Sequence, residues 1–78
     1  MTEEQVIAWL GEVFECRAEE LTADRSRDDI PAWDSLGVLT LMAGFDEKFG
    51  LVMSADDMQK LQRVGDVLAL LRSRGKLD

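Results

Sequence analysis

Apolar residues in the middle of this chain fall at helical spacing twice over. Val38, Leu41, Met42, Phe45 and Phe49 follow the i, i+3, i+4, i+7, i+11 rhythm of one buried helix face. Leu36, Leu39 and Ala43 mark a second stripe on another face of the same segment. No stretch alternates apolar and polar residues as a half-buried strand requires, so the chain is committed to packing helices. A small bundle rarely buries both sides of one helix. The second stripe therefore either lies beneath a neighbouring loop or stays open as an apolar patch.

The remaining helices follow from their ends as much as from their faces. Thr2-Glu3-Glu4-Gln5 is a capping box, and Val6, Ile7, Leu10, Val13 and Phe14 carry a helix from about Glu3 to about Glu15. Residues 17–34 have little periodicity. Leu21, Ile30 and Trp33 are isolated apolar anchors there and Pro31 interrupts, which predicts a long first loop. The middle helix is expected from Ser35 to Phe49 with Gly50 as its C-terminal cap. Ser54-Ala55-Asp56-Asp57 opens a short helix through Leu61. Val64, Val67, Leu68 and Leu71 mark a last amphipathic helix, with Arg72, Arg74 and Lys76 at its negative pole and Gly75 to close it. The expected fold is an all-α four-helix bundle with three main helices, one short third helix and a long first connection, occupying 1–78 as one domain.

Charge and composition narrow the functions open to such a bundle. Sixteen Asp and Glu against nine Lys and Arg give a net charge of −7, which disfavours nucleic acid and anionic lipid and favours partners with basic surfaces. The acids crowd the front: residues 1–24 hold Glu3, Glu4, Glu12, Glu15, Glu19, Glu20 and Asp24 against Arg17 alone. Such a run is either a solvated face or a docking surface. There is no His, which removes the commonest general base and zinc ligand. The single Cys16 fits a reducing compartment and reads as a small apolar filler. The longest uncharged run, 35–45, is too short to cross a bilayer, and the start has no signal-peptide character, so a cytoplasmic address is expected. Asp46, Asp56 and Asp57 flank a loop, but without the spacing of a calcium-binding EF-hand.

Asp34-Ser35-Leu36 is the most informative tripeptide. Asp34 and Ser35 are both good N-cap residues. Ser35 has no histidine to take its proton, so it is poorly suited to nucleophilic catalysis. A serine at a helix N-terminus is, however, a favourable place to hang a phosphodiester, because backbone N–H groups and the positive dipole end favour an anion.

Trp33-Asp34-Ser35-Leu36-Gly37, then Leu39, Leu41, Phe45 and Asp46-Glu47-Lys48-Phe49-Gly50, and later Val64-Gly65-Asp66-Val67, resembles the acyl carrier protein family over nearly the whole chain. The resemblance implies a four-helix carrier with no active site of its own and no metal. It implies that Ser35 bears 4'-phosphopantetheine, added from coenzyme A by a phosphopantetheinyl transferase, with Asp34 as its neighbour. The arm's thiol would hold an acyl or aminoacyl group as a thioester. Partners implied are the transferase, an acyl- or aminoacyl-activating ligase, and synthase or transferase enzymes, met by a monomer across Leu36, Gly37, Leu39, Thr40, Ala43 and Glu47.

The chain departs from carriers of fatty-acid synthesis at particular places. Gly37 and Thr40 stand where those carriers use acids to grip basic patches, Ala32 stands for a usual Gly, and Arg63 for a usual Thr. The Trp-Asp-Ser-Leu-Gly pattern looks more like stand-alone carriers of specialised pathways: polyketide or nonribosomal peptide assembly, modified lipid or envelope synthesis, or aminoacyl and D-alanyl carriers. A calcium-binding helical module and a helical protein-interaction module without a prosthetic group are the readings from other classes.

Overall fold

Thr2 opens the first helix as its sequence foretold. In the computed structural model, which describes residues 1–78, its hydroxyl accepts from the Gln5 N–H at 3.2 Å while the Gln5 side chain accepts from the Thr2 N–H at 2.9 Å. Helix α1 spans Glu3–Phe14 and ends on Glu15, a non-glycine residue in the left-handed region (φ 56°). Helix α2 spans Ser35–Phe49 and is closed by Gly50 at φ 66°, whose N–H donates to the Asp46 carbonyl. Helix α3 spans Ala55–Gln59 behind a reciprocal Ser54–Asp57 capping box, and α4 spans Val64–Ser73. The short helix stops two residues before the expected Leu61. The start of α4 is held by the Asp66 carboxylate, which accepts from the Gln62 and Arg63 N–H groups at 2.9 and 3.0 Å.

The expected loop over 17–34 is ordered by its own turns. Two 3₁₀ turns, Ala18–Glu20 and Arg27–Asp29, interrupt it. Its middle is stitched to the start of α4: Arg27 donates to the Gln62 carbonyl at 2.7 Å, Val64 to Arg25 at 3.1 Å and Gly65 to Ala23 at 2.8 Å. Leu21, Ile30 and Trp33 are all buried, as expected of anchors. The Trp33 ring stacks on Phe14 with centroids 4.7 Å apart, and the Arg27 guanidinium lies over it. Each apolar anchor lets a polar segment run over the bundle without leaving it.

One apolar cluster joins all four helices and the connection, built around Val6, Leu10 and Phe14 of α1, Leu41 and Phe45 of α2, Met58, and Val64, Val67 and Leu71 of α4. No charged or polar side chain is buried in it. Cys16 packs against its edge, where burial pushes the thiol pKa up, assisted by Glu20.

The inner face of α2 differs from the expected stripe. Leu41, Phe45 and Phe49 are buried, but Val38 and Met42 are only half-buried, while Gly37 and Gly44 are buried. At 3.6 residues per turn, Gly37 and Gly44 lie about 40–60° to one side of Leu41, and Val38 and Met42 about 60–100° to the other. The true face is rotated toward the glycines. A β-carbon on Gly44 would overlap the Trp9 indole at Cζ2, so the edge of the ring points at bare backbone where a side chain would otherwise stand.

Candidate functional site

Asp34 and Ser35 divide their duties at the start of α2. The Asp34 carboxylate accepts from the Gly37 N–H at 3.0 Å, and the Asp34 carbonyl accepts from Val38 at 2.8 Å. Asp34 is therefore the cap, and Ser35 is the first helical residue. The sequence allowed either residue the capping role; the structure gives it to Asp34 and leaves the exposed Ser35 hydroxyl unused by the fold. With the Gly37 N–H taken by the cap, the Ser35 and Leu36 N–H groups remain free at the positive end of a 15-residue helix.

Beside Ser35 the outer stripe is open. Leu36 is 72% exposed and Leu39 62%, and Ala43 is exposed on the same side. The first loop does not cover them. Thr40 is also exposed, its hydroxyl donating to the Leu36 carbonyl at 3.0 Å. Glu47 is exposed but lies twelve residues along the helix from Ser35, about 18 Å away, so it does not share the serine's surroundings.

Gly37 is the residue that sequence reasoning misplaced. It was expected on the outer face, yet it is buried, and a β-carbon there would overlap the Ala32 carbonyl oxygen. Its lack of an acidic side chain thus has a packing cause. Val52, 85% exposed between α2 and α3, is an open apolar residue with no periodic signal to announce it. The sequence also gave no hint of a groove of about 260 Å³ between the end of α1, the end of the connection and the first turns of α2. Val13, Glu15, Ala32, Asp34, Leu36, Gly37 and Thr40 line it.

No three carboxylates, thiols or imidazoles converge as a metal site would need. No helix is long and apolar enough to cross a membrane.

The chain is thus a short helical bundle that holds an unused serine hydroxyl at a helix start, next to an outward leucine stripe. No protein-family profile matches the chain. Comparison with characterised proteins is more specific. The chain is 35% identical to an acyl carrier protein of an Exiguobacterium species, over 95% of this chain and 99% of that one. It is 31% identical to an acyl carrier protein of Rhodococcus erythropolis over 91% of this chain and 82% of the relative. It is likewise 31% identical to a meromycolate extension acyl carrier protein of Mycolicibacterium smegmatis, over 91% of this chain and 76% of the relative. The chain belongs to the acyl carrier protein family. It is a carrier and not an enzyme.

Proposed function

We propose that Ser35 is the attachment residue for 4'-phosphopantetheine and that residues 1–78 act as one carrier unit, a cytoplasmic monomer passing its cargo between enzymes. The observation that carries this reading is the exposed Ser35 hydroxyl at the start of α2, released from capping by Asp34. The residues there fit the group. A phosphodiester on Ser35 meets two free backbone N–H groups and the positive helix end, and nothing packs over the serine. When attached, the group supplies a thiol on which an acyl cargo is held as a thioester. This chain's residues do the rest: Asp34 fixes the first turn, and Leu36, Leu39 and Ala43 offer apolar contact to a phosphopantetheinyl transferase, an activating ligase and the synthase or transferase enzymes that use the cargo.

The pathway is inferred to be a specialised one. The outward face of α2 carries no charge from Ser35 to Phe45, so partners gain little electrostatic grip there. Relatives named for meromycolate extension favour an acyl cargo of lipid type over an aminoacyl one.

The test is direct. The purified chain is incubated with coenzyme A and a phosphopantetheinyl transferase, and its intact mass is read. One pantetheine adduct is expected on the wild-type chain and none on Ser35→Ala. An adduct of normal yield on Ser35→Ala overturns the assignment.

A further inference from the structure

The groove beside Ser35 has a mixed lining that suits a particular kind of guest. Val13, Ala32 and Leu36 give it apolar walls. Among the lining residues Glu15 and Asp34 carry carboxylates, and Thr40 carries a hydroxyl whose proton is already committed to the Leu36 carbonyl. The polar side chains of the lining residues are thus hydrogen-bond acceptors. One Asp34 oxygen is taken by the Gly37 N–H, which leaves the other free. No basic side chain lines the groove, so a second anion is repelled from it. A neutral segment with methyl groups and N–H or O–H donors satisfies both halves of the lining.

Asp34 and Leu36, the two sequence neighbours of Ser35, both form part of the wall. Anything attached to Ser35 is therefore tethered at the rim. Tethering supplies an effective concentration in the millimolar range, so contacts too weak to bind a free molecule are enough to seat a tethered one. At about 260 Å³ the space is smaller than the ~300 Å³ at which pockets for whole small molecules begin. It takes part of an arm and not an arm with its cargo.

We propose that this groove, between α1 and the start of α2, seats the neutral root of the phosphopantetheine arm: its geminal methyl groups on Val13, Ala32 and Leu36, its hydroxyl and amide donors facing Glu15 and Asp34. The inference rests on Ser35 being the attachment residue. Its consequence is directional. An arm lying in the groove leaves Ser35 toward the end of α1 and leaves Leu39 and Ala43 of the outer stripe clear for partners.

The experiment uses the isotopically labelled chain loaded with excess coenzyme A and transferase, with loading verified by mass. Nuclear Overhauser contacts are expected between the arm's methyl protons and the methyls of Val13, Ala32 and Thr40, together with amide shifts at Glu15 and Gly37 relative to the unloaded chain. In Thr40→Tyr, loaded in the same way, the tyrosine ring fills the groove and the contacts to Val13 and Ala32 are expected to vanish while the circular dichroism spectrum is retained. If the loaded chain shows shifts only at Ser35 and its immediate neighbours, the groove does not hold the arm, although Ser35 remains the attachment residue. Groove signals that move only when the transferase is added assign the groove to a partner and overturn the proposal, as do contacts that persist in Thr40→Tyr. Absence of any adduct on the wild-type chain removes the Ser35 assignment and this inference with it.

Discussion

A β-carbon on Gly37 would overlap the carbonyl oxygen of Ala32, so the first turn of α2 lies directly against the end of the long connection. The contact holds Ala32 and Asp34 beside the start of the helix and forms one wall of the groove. It also fixes what position 37 can be. An acid there, as in carriers that grip basic partners through this turn, requires the connection to move away.

Gly37→Asp is accordingly expected to destabilise the fold by about 1–3 kcal/mol, the usual cost of forcing atoms into a packed contact. Thr40→Asp, at an exposed position one turn on, is expected to stay within ~0.5 kcal/mol of wild type. Urea unfolding followed by circular dichroism measures both. Equal stability of the two variants contradicts the packing argument.

The division of labour between Asp34 and Ser35 yields a second expectation. Removing a capping side chain costs about 1 kcal/mol, so Asp34→Ala lowers stability by that amount. Ser35→Ala removes a hydroxyl that caps nothing, and its unfolding midpoint is expected to match wild type. A loss on Ser35→Ala as large as on Asp34→Ala means that the serine shares the cap.

Much of this fold was legible because helix ends and apolar anchors are local signals. The Thr2–Gln5 and Ser54–Asp57 boxes and the Gly50 cap can be read from residues a few positions apart. Leu21, Ile30 and Trp33 stood out as apolar residues in a polar stretch, and all three are buried. Other features depend on what faces a residue across the bundle. Gly37 and Gly44 carry no hydrophobic signal, so the stripe on α2 appeared centred too near Val38 and Met42. Only the carbonyl of Ala32 and the ring of Trp9 reveal that the glycines belong to the inner face. The groove was hidden for a related reason, since Val13, Ala32 and Thr40 come from three segments whose meeting no spacing rule predicts. The Asp34–Ser35–Leu36 site was readable as a motif, but its split roles needed the hydrogen bond from Gly37.

Charge sets a third expectation. Of the sixteen Asp and Glu, only Glu19, near Arg17 at 4.0 Å, and Asp78, near the Met1 ammonium at 3.8 Å, have a cation within ion-pair distance. The rest face solvent or serve as caps, and a net charge of −7 opposes compaction. Screening reaches down to separations of about 10 Å at 0.1 M salt, so the melting temperature is expected to rise as sodium chloride increases toward that concentration. With no three carboxylates converging, calcium at equal ionic strength is expected to stabilise no more than sodium. A melting temperature that is flat with sodium, or that jumps with calcium alone, contradicts this reading of the surface.

The open stripe on α2 gives the last expectation. Leu36 and Leu39 are too exposed to contribute much to the core, so Leu36→Ala and Leu39→Ala are each expected to leave unfolding within ~0.5 kcal/mol of wild type. If partners dock on the stripe, truncating an anchor costs more than ~1 kcal/mol of binding, which slows transferase modification and cargo loading several-fold. Thr40 offers no charge on this face, and Gly37 is turned inward, so association across it is expected to rely on apolar contact. Rates across a salt series are then expected to fall less steeply for the wild-type chain than for Thr40→Asp, which restores an acid to the face. Circular dichroism of each variant separates docking from folding: a Leu variant that keeps wild-type rates removes the stripe as an interface, and one that loses its helical signal returns it to the core.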